Sequence, residues 1–166
     1  MKYKAIIFDM DGTILYLERL QSAAPLHALP ARHTFFVDGF LTFHAKAQEY
    51  NLKMAIATNA RTSILEHVIP FLSLDSLFNE HIYNASHVPK GKPSPDLYLH
   101  AAAQLGVAPE ECIAIEDSHN GLRAARDAGM FCIGINTSNN PEQLTLAHLK
   151  INHYDEIDLK ELLRKA

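Results

Sequence analysis

The 166-residue sequence predicts one α/β domain built on a doubly wound, Rossmann-like parallel sheet of five core strands. Two observations predict it. Short β-rich apolar runs alternate with longer segments of helical period, as successive βα units require. The length suits a single core, since most domains run roughly 100 to 200 residues.

The strands are read as Tyr3 to Phe8, Lys53 to Ala57, roughly His81 to Asn84, Cys112 to Ile115 and Phe131 to Ile135. Asp38 is a candidate cap for a helix running to about Tyr50, with Asn51 as its stop. A second helix covers Thr62 to Ile69. Ser94-Pro95 reads as an N-cap and first-turn proline opening a helix to Leu105, which Gly106 terminates. Ser118 caps a helix ending at Gly129, whose Ala124, Ala125 and Ala128 let it lie close to a sheet. The tail from Pro141 is expected to hold one or two helices, with Leu159, Leu162 and Leu163 on the apolar stripe of the last. The loop-like stretch of any length is Ser22 to Arg32, with Pro25 and Pro30.

A formal charge of -4 offers no basic field to grip a phosphate backbone, so no nucleic-acid partner is expected. The apolar run Ala5-Ile6-Ile7-Phe8 stops at Asp9, too short for a signal peptide or a membrane span, so the expected location is the cytoplasm. Cys112 and Cys132 sit in apolar runs and read as buried free thiols. The sequons at Asn84 and Asn136 read as chance spellings.

In an open parallel sheet, ligands gather at the carboxyl ends of the strands. Strand one ends in Asp9-Met10-Asp11-Gly12-Thr13, strand two in Thr58-Asn59 and strand four in Glu116-Asp117, while Gly91-Lys92-Pro93 precedes the helix leading to strand four. Together these contain what phosphoryl transfer through a covalent intermediate needs. Asp9 is the candidate nucleophile, since a carboxylate splits one hard displacement into two easier ones. Asp11 can protonate the departing alkoxide and later take a proton from water. Glu116 and Asp117 are hard oxygen ligands for Mg²⁺, and Lys92 is a point charge for the phosphate. Thr58, with Asn59 beside it, supplies polar groups for the phosphoryl oxygens.

With these four motifs in order, from Tyr3 to about Thr137, the sequence resembles the haloacid dehalogenase superfamily of phosphatases and phosphotransferases. The last two, Gly91-Lys92-Pro93-Ser94-Pro95-Asp96 and Glu116-Asp117-Ser118 with Gly121 and Ala124-Ala125, are most similar to its β-phosphoglucomutase and phosphoglycolate phosphatase branch. The resemblance implies that Asp9, the backbone carbonyl of Asp11, and Asp117 hold the metal, with Glu116 bound directly or through water. It also implies phosphate chemistry rather than carbon–halogen cleavage. Members that release halide lack the second aspartate, because halide leaves without a proton and an alkoxide does not.

Relatives in that branch carry a helical cap after the first motif. Only 25 residues run from Thr13 to Asp38, where four helices with loops would need roughly 55. Residues 14–37 are therefore read as a cap cut to a stub, in which Tyr16, Leu17 and Leu20 pack on a single domain spanning 1–166. A site so open favours hydrolysis over a mutase that must hold a bisphosphate. It would admit bulky phosphorylated substrates such as a phosphoprotein, or be covered by a second copy of the chain.

Each residue also has a plainer reading. Asp-x-Asp after a strand can be a turn, Thr58 a cap residue and Lys92 a solvated charge. Glu116-Asp117 could merely suit a helix N-terminus. Their occurrence together in family order outweighs those readings. A nucleotide P-loop at Gly91-Lys92 fails, since Pro93 replaces the required Ser/Thr. The 10 histidines show no ligand spacing and are read as scattered and exposed. His119 is the exception, two residues past Asp117 and a candidate for the site mouth. A phosphomutase, or an idle fold kept as a binding module, are the alternatives to a phosphatase.

Overall fold

A computed structural model of the chain describes residues 1–22 and 31–164. Six parallel strands form one sheet in the order β3-β2-β1-β4-β5-β6. They are β1 (Ala5–Phe8), β2 (Lys53–Thr58), β3 (Ile82–Asn84), β4 (Cys112–Glu116), β5 (Phe131–Ile135) and β6 (Leu149–Ile151). The helices are α1 (Leu17–Ser22), α2 (Phe40–Glu49), α3 (Thr62–Leu72), α4 (Leu74–Phe78), α5 (Asp96–Leu105), α6 (His119–Asp127) and α7 (Leu159–Arg164). The doubly wound expectation holds, with a correction from five strands to six. The tail read as helical first lays β6 beside β5, with Ile133 opposite Leu149 and Ile135 opposite Ile151.

Side-chain alternation along the strands makes two unlike cores. One face presents Ile6, Phe8, Met54, Ile56, Ile113, Ile115, Ile133 and Ile135, and packs on Phe40, Phe43, Phe78 and Tyr154. The Phe8 ring meets Phe40 edge-on at 5.6 Å and Phe78 at 5.8 Å, geometries that aromatic quadrupoles favour. On the other face, Ala5, Ala55, Ala57, Cys112, Ala114 and Cys132 meet Ala101 and Ala102 of α5 and Ala124 and Ala125 of α6. Small residues on both sides let those two helices lie tight against the sheet. Both cysteines are buried and free, as expected, and burial pushes each thiol up to about 12.

Several boundaries differ from expectation for local reasons. The cap of α2 is Gly39, at φ 80, not Asp38. This left-handed turn suits glycine, and His153 and Tyr154 leave no room for a Cβ there. Helix α3 runs through Pro70 to Leu72, which is buried. Helix α5 begins at Asp96 with Pro95 at its N-cap, and Ser94 instead donates from its hydroxyl to the Asp96 carboxylate at 2.8 Å. The Gly106 stop and the Ser118 cap hold, the latter accepting the Gly121 N–H at 3.1 Å.

Between β1 and α2 the described residues hold only the six-residue α1 and a 3-10 turn at Arg32–Phe35. The cap is reduced accordingly. Most of the loop expected at Ser22 to Arg32, residues 23–30 with both prolines, lies outside the described residues. Tyr16, Leu17 and Leu20 do pack against the core. No helix among the described residues is long and apolar enough to cross a membrane.

Candidate active site

Strand register brings the site together. Phe8 of β1 lies opposite Ile56 of β2 on one side and Ile115 of β4 on the other, and the Asp9 N–H donates to the Ile115 carbonyl at 3.0 Å. The next residues along each strand, Asp9, Thr58, Glu116 and Asp117, therefore leave the sheet at one edge. From β1 the chain winds one way to β2 and β3, then crosses back to β4. The crevice between β1 and β4 is the switch point at which ligands collect in such sheets.

Lys92 closes the group from the loop before α5. Its ammonium donates to Asp9 Oδ1 at 2.7 Å and to Glu116 Oε1 at 2.5 Å, with 5% of the Lys92 side chain and none of Glu116 exposed. Buried charges survive only when paired and hydrogen-bonded. Glu116 meets that demand in full: Oε1 also accepts the Tyr98 hydroxyl at 2.9 Å, while Oε2 takes the Asp117 N–H, the Ser118 N–H and the Ser118 hydroxyl. Asn59 clamps the same loop, its amide donating to the Lys92 carbonyl at 3.0 Å and accepting the Lys92 N–H at 3.0 Å. Thr58 is buried, and its Oγ1 accepts the Ala60 N–H at 3.1 Å, which leaves the hydroxyl proton to donate into the cavity.

Two glycines make room for these carboxylates. A Cβ on Gly12, at φ 78, would collide with the Asp117 carboxylate, and one on Gly121 would collide with Glu116. The loop after β1 is braced from the far end of the chain. Tyr154 donates its hydroxyl to the Thr13 carbonyl at 2.7 Å, and Thr137 to the Gly12 carbonyl at 2.6 Å. Thr13 itself, fully buried, donates toward Asp9 Oδ2 at 3.3 Å.

One carboxylate oxygen each from Asp9, Glu116 and Asp117 lies within 4.8 Å of the others, the one such acidic, histidine or cysteine group among the described residues. Lys92 answers that negative charge with a single positive one. Burial pushes Asp9 up to about 7, with Glu116 adding to the rise and Lys92 opposing it. Asp117 rises to about 8 through burial, Asp9 and Glu116. Burial alone would lower Lys92, but Asp9 and Glu116 carry it above its ordinary value. Three carboxylates against one ammonium leave an excess of negative charge, and an all-oxygen donor set suits a hard ion such as Mg²⁺. Asp9 and Asp117 have oxygens to offer it, whereas Glu116 already meets five protein donors.

Asp11 lies just outside this group. Its exposed carboxylate accepts the Leu17 N–H, the first of α1, at 2.9 Å. A cavity of about 500 Å³ opens above, lined by Asp9, Asp11, Thr58, Asn59, Lys92 and Asp117. Leu17, Ala60, Ile64, His119, Asn120 and Gln143 also line it. His119 is among the lining residues, and its backbone N–H donates to Gln143 Oε1 at 3.2 Å. Of the other histidines, His44 departs from the exposed expectation: it is buried, with Nε2 2.9 Å from the Leu77 carbonyl. Asn84 of the first sequon is likewise buried, donating to Ala60 and Thr62.

Sequence reasoning had no signal for Tyr98, Tyr154 or Thr137. Their hydroxyls matter only through where α5 and the tail are packed. Thr13 and Gly121 were visible as motif letters without a role.

Comparison with known proteins matches residues 26–129 to the family described as haloacid dehalogenase-like hydrolase. The chain is 34% identical over 121 residues to hexitol phosphatase B of Escherichia coli O157:H7, covering 72% of this chain and 54% of that protein. Over 127 residues it is 37% identical to fructose-1-phosphate phosphatase YqaB of Escherichia coli K12, covering 76% and 64%. Over 85 residues it is 38% identical to the β-phosphoglucomutase of Bacillus subtilis, covering 51% and 36%. The chain therefore spans about half the length of the curated relatives it matches. A family IA, variant 3 hydrolase of Entamoeba histolytica superposes with a TM-score of 0.79 at 22% identity, covering 96% of this chain and 97% of that one. A family hydrolase of Deinococcus radiodurans gives 0.76 at 22%, covering 99% and 96%.

Proposed function

Because the chain belongs to the haloacid dehalogenase-like hydrolases, we propose that it is a Mg²⁺-dependent phosphomonoesterase working through a phosphoryl group carried on Asp9. The observation that carries this reading is the convergence of Asp9, Lys92, Glu116 and Asp117 from three separate stretches of chain on one crevice.

A carboxylate oxygen of Asp9 forms a bond to phosphorus while the ester P–O bond breaks, and the departing oxygen takes a proton from Asp11. Water then attacks the phosphoryl-Asp9, giving its proton to Asp11 and releasing phosphate and free Asp9. Lys92 and the Thr58 hydroxyl meet the phosphoryl oxygens, and Asn59 holds the backbone of Lys92 in place. Asp9, Asp117 and the Asp11 carbonyl would hold Mg²⁺, which when bound would supply the positive charge that lets an anionic nucleophile approach an anionic ester. The Leu17 N–H engages only Oδ1 of Asp11, which leaves Oδ2 to carry the proton.

Two of the relatives are named for small hexitol or fructose phosphates, which supports a compact phosphorylated metabolite over the bulky substrate the open site invited. A covering second copy has no independent support.

Release of phosphate from p-nitrophenyl phosphate tests the reading. Wild type should be active with Mg²⁺ and silent in EDTA, and Asp9→Asn should lose at least about 10³-fold. Activity in EDTA, or an active Asp9→Asn, would refute it.

A further inference from the structure

Helix α5 turns an otherwise apolar face to the sheet. Leu97, Ala101, Ala102 and Leu105 are all buried there without a polar side-chain atom. Tyr98 breaks the pattern. It is fully buried, yet its hydroxyl emerges beside the site and donates to Glu116 Oε1 at 2.9 Å. That same oxygen receives the Lys92 ammonium at 2.5 Å, and the ammonium sits 4.9 Å from the centroid of the Tyr98 ring. Tyr98 therefore touches both members of the ion pair, one through its hydroxyl and the other through its ring. Phenylalanine would fill the same apolar volume, so packing alone does not call for the hydroxyl.

We propose that Tyr98 is a positioning residue for Lys92: it shares the Glu116 carboxylate with the ammonium and so keeps that charge extended toward Asp9 and the phosphate. The proposal rests on the phosphatase reading of the site. Its physical basis is a competition. Lys92 is held between Asp9 Oδ1 at 2.7 Å and Glu116 Oε1 at 2.5 Å. A charge-assisted bond from the phenol satisfies part of the Oε1 acceptor capacity and fixes the plane of the carboxylate. With the phenol gone, Oε1 has the ammonium as its one remaining donor and draws it back from Asp9. The ring contributes a cation–π surface on the buried side of the ammonium, where water cannot solvate it.

The effect should fall on phosphate and spare the metal, because Tyr98 contacts neither Asp117 nor Asp9. Tyr98→Phe is the test, since it keeps the ring and the packing. Inorganic phosphate affinity, measured by calorimetry in Mg²⁺ and as product inhibition of p-nitrophenyl phosphate hydrolysis, should weaken about tenfold, as loss of a hydrogen bond to a charged group implies. KM should rise with it, while the Mg²⁺ concentration for half-activation stays within twofold of wild type. Tyr98→Leu, which removes ring and hydroxyl together, should weaken phosphate further at an equal Mg²⁺ requirement. Unchanged phosphate affinity in folded Tyr98→Phe would overturn the proposal. So would a parallel loss of phosphate affinity, Mg²⁺ affinity and Tm, the pattern of a merely structural role. A wild-type protein that neither binds phosphate nor releases it would instead overturn the phosphatase reading, and this proposal with it.

Discussion

The two faces of the sheet do different jobs. One is thick with large side chains, Phe8, Phe40, Phe43, Phe78 and Tyr154 among them. The other is thin, with alanine and cysteine on the strands meeting alanine on α5 and α6. Bulk on the first face removes apolar area from water, at roughly 25 cal/mol per Å². Closeness on the second lets α5 carry Tyr98 to Glu116 and lets Gly121 of α6 abut the same carboxylate. The large aromatic side chains are thus gathered mostly on one side of the sheet, and the close contacts to Glu116 on the other.

Substitutions on each face should separate these properties. Phe40→Ala removes a fully buried ring from the thick face and should cost about 3–5 kcal/mol of unfolding free energy. Denaturant titration would measure that loss, with kcat of the folded enzyme within twofold of wild type; a large fall in kcat would show that the faces are not separable. On the thin face, Gly121→Ala drives a methyl group into Glu116 and through it displaces Lys92. Its kcat/KM should fall at least about a hundredfold, since a displacement on the order of 1 Å is enough for that.

The smallest effect arises at the carboxyl edge of the sheet, where the faces meet. Asp9 and Asp117 are raised from 3.8 to about 7 and about 8. From pH 4 to about 7 for Asp9 and about 8 for Asp117, the unfolded chain has released the proton and the native state holds it, so stability from the pair declines as pH rises through that window. In EDTA, Tm should therefore fall by a few degrees from pH 5 to pH 8, and Mg²⁺ should restore it. Asp117→Asn should raise Tm at pH 8 in EDTA while abolishing turnover. A Tm in EDTA that is flat or rising over this range in wild type would contradict the charge surplus.

Legibility in the sequence followed the same division. The strands on which the site stands were readable because each is a continuous apolar run that ends in a polar motif. Their register then determines which motifs meet. Strand β6 was not readable, because His148-Leu149-Lys150-Ile151 offers two apolar residues between polar ones and its pairing is imposed by β5. Helix α3 ran past Pro70 because burying Leu72 outweighs a lost helical bond. Asn59 was read as a phosphate ligand from its neighbour Thr58, whereas its amide is committed to the Lys92 backbone. The roles of Tyr98 and Tyr154 depend on contacts across 18 and 141 residues of chain, and no local pattern carries such a contact.

The brace from Tyr154 to the Thr13 carbonyl also bears on how the protein is born. A ribosome delivers Asp9 long before Cys112–Glu116, so the β4 edge of β1 stays bare until that strand emerges, and the loop after β1 goes unfastened until residue 154. In that interval the nascent chain carries a central strand with a free edge, open to pairing with a neighbour. Premature truncation anywhere before the tail would yield the nucleophile without the scaffold that aims it.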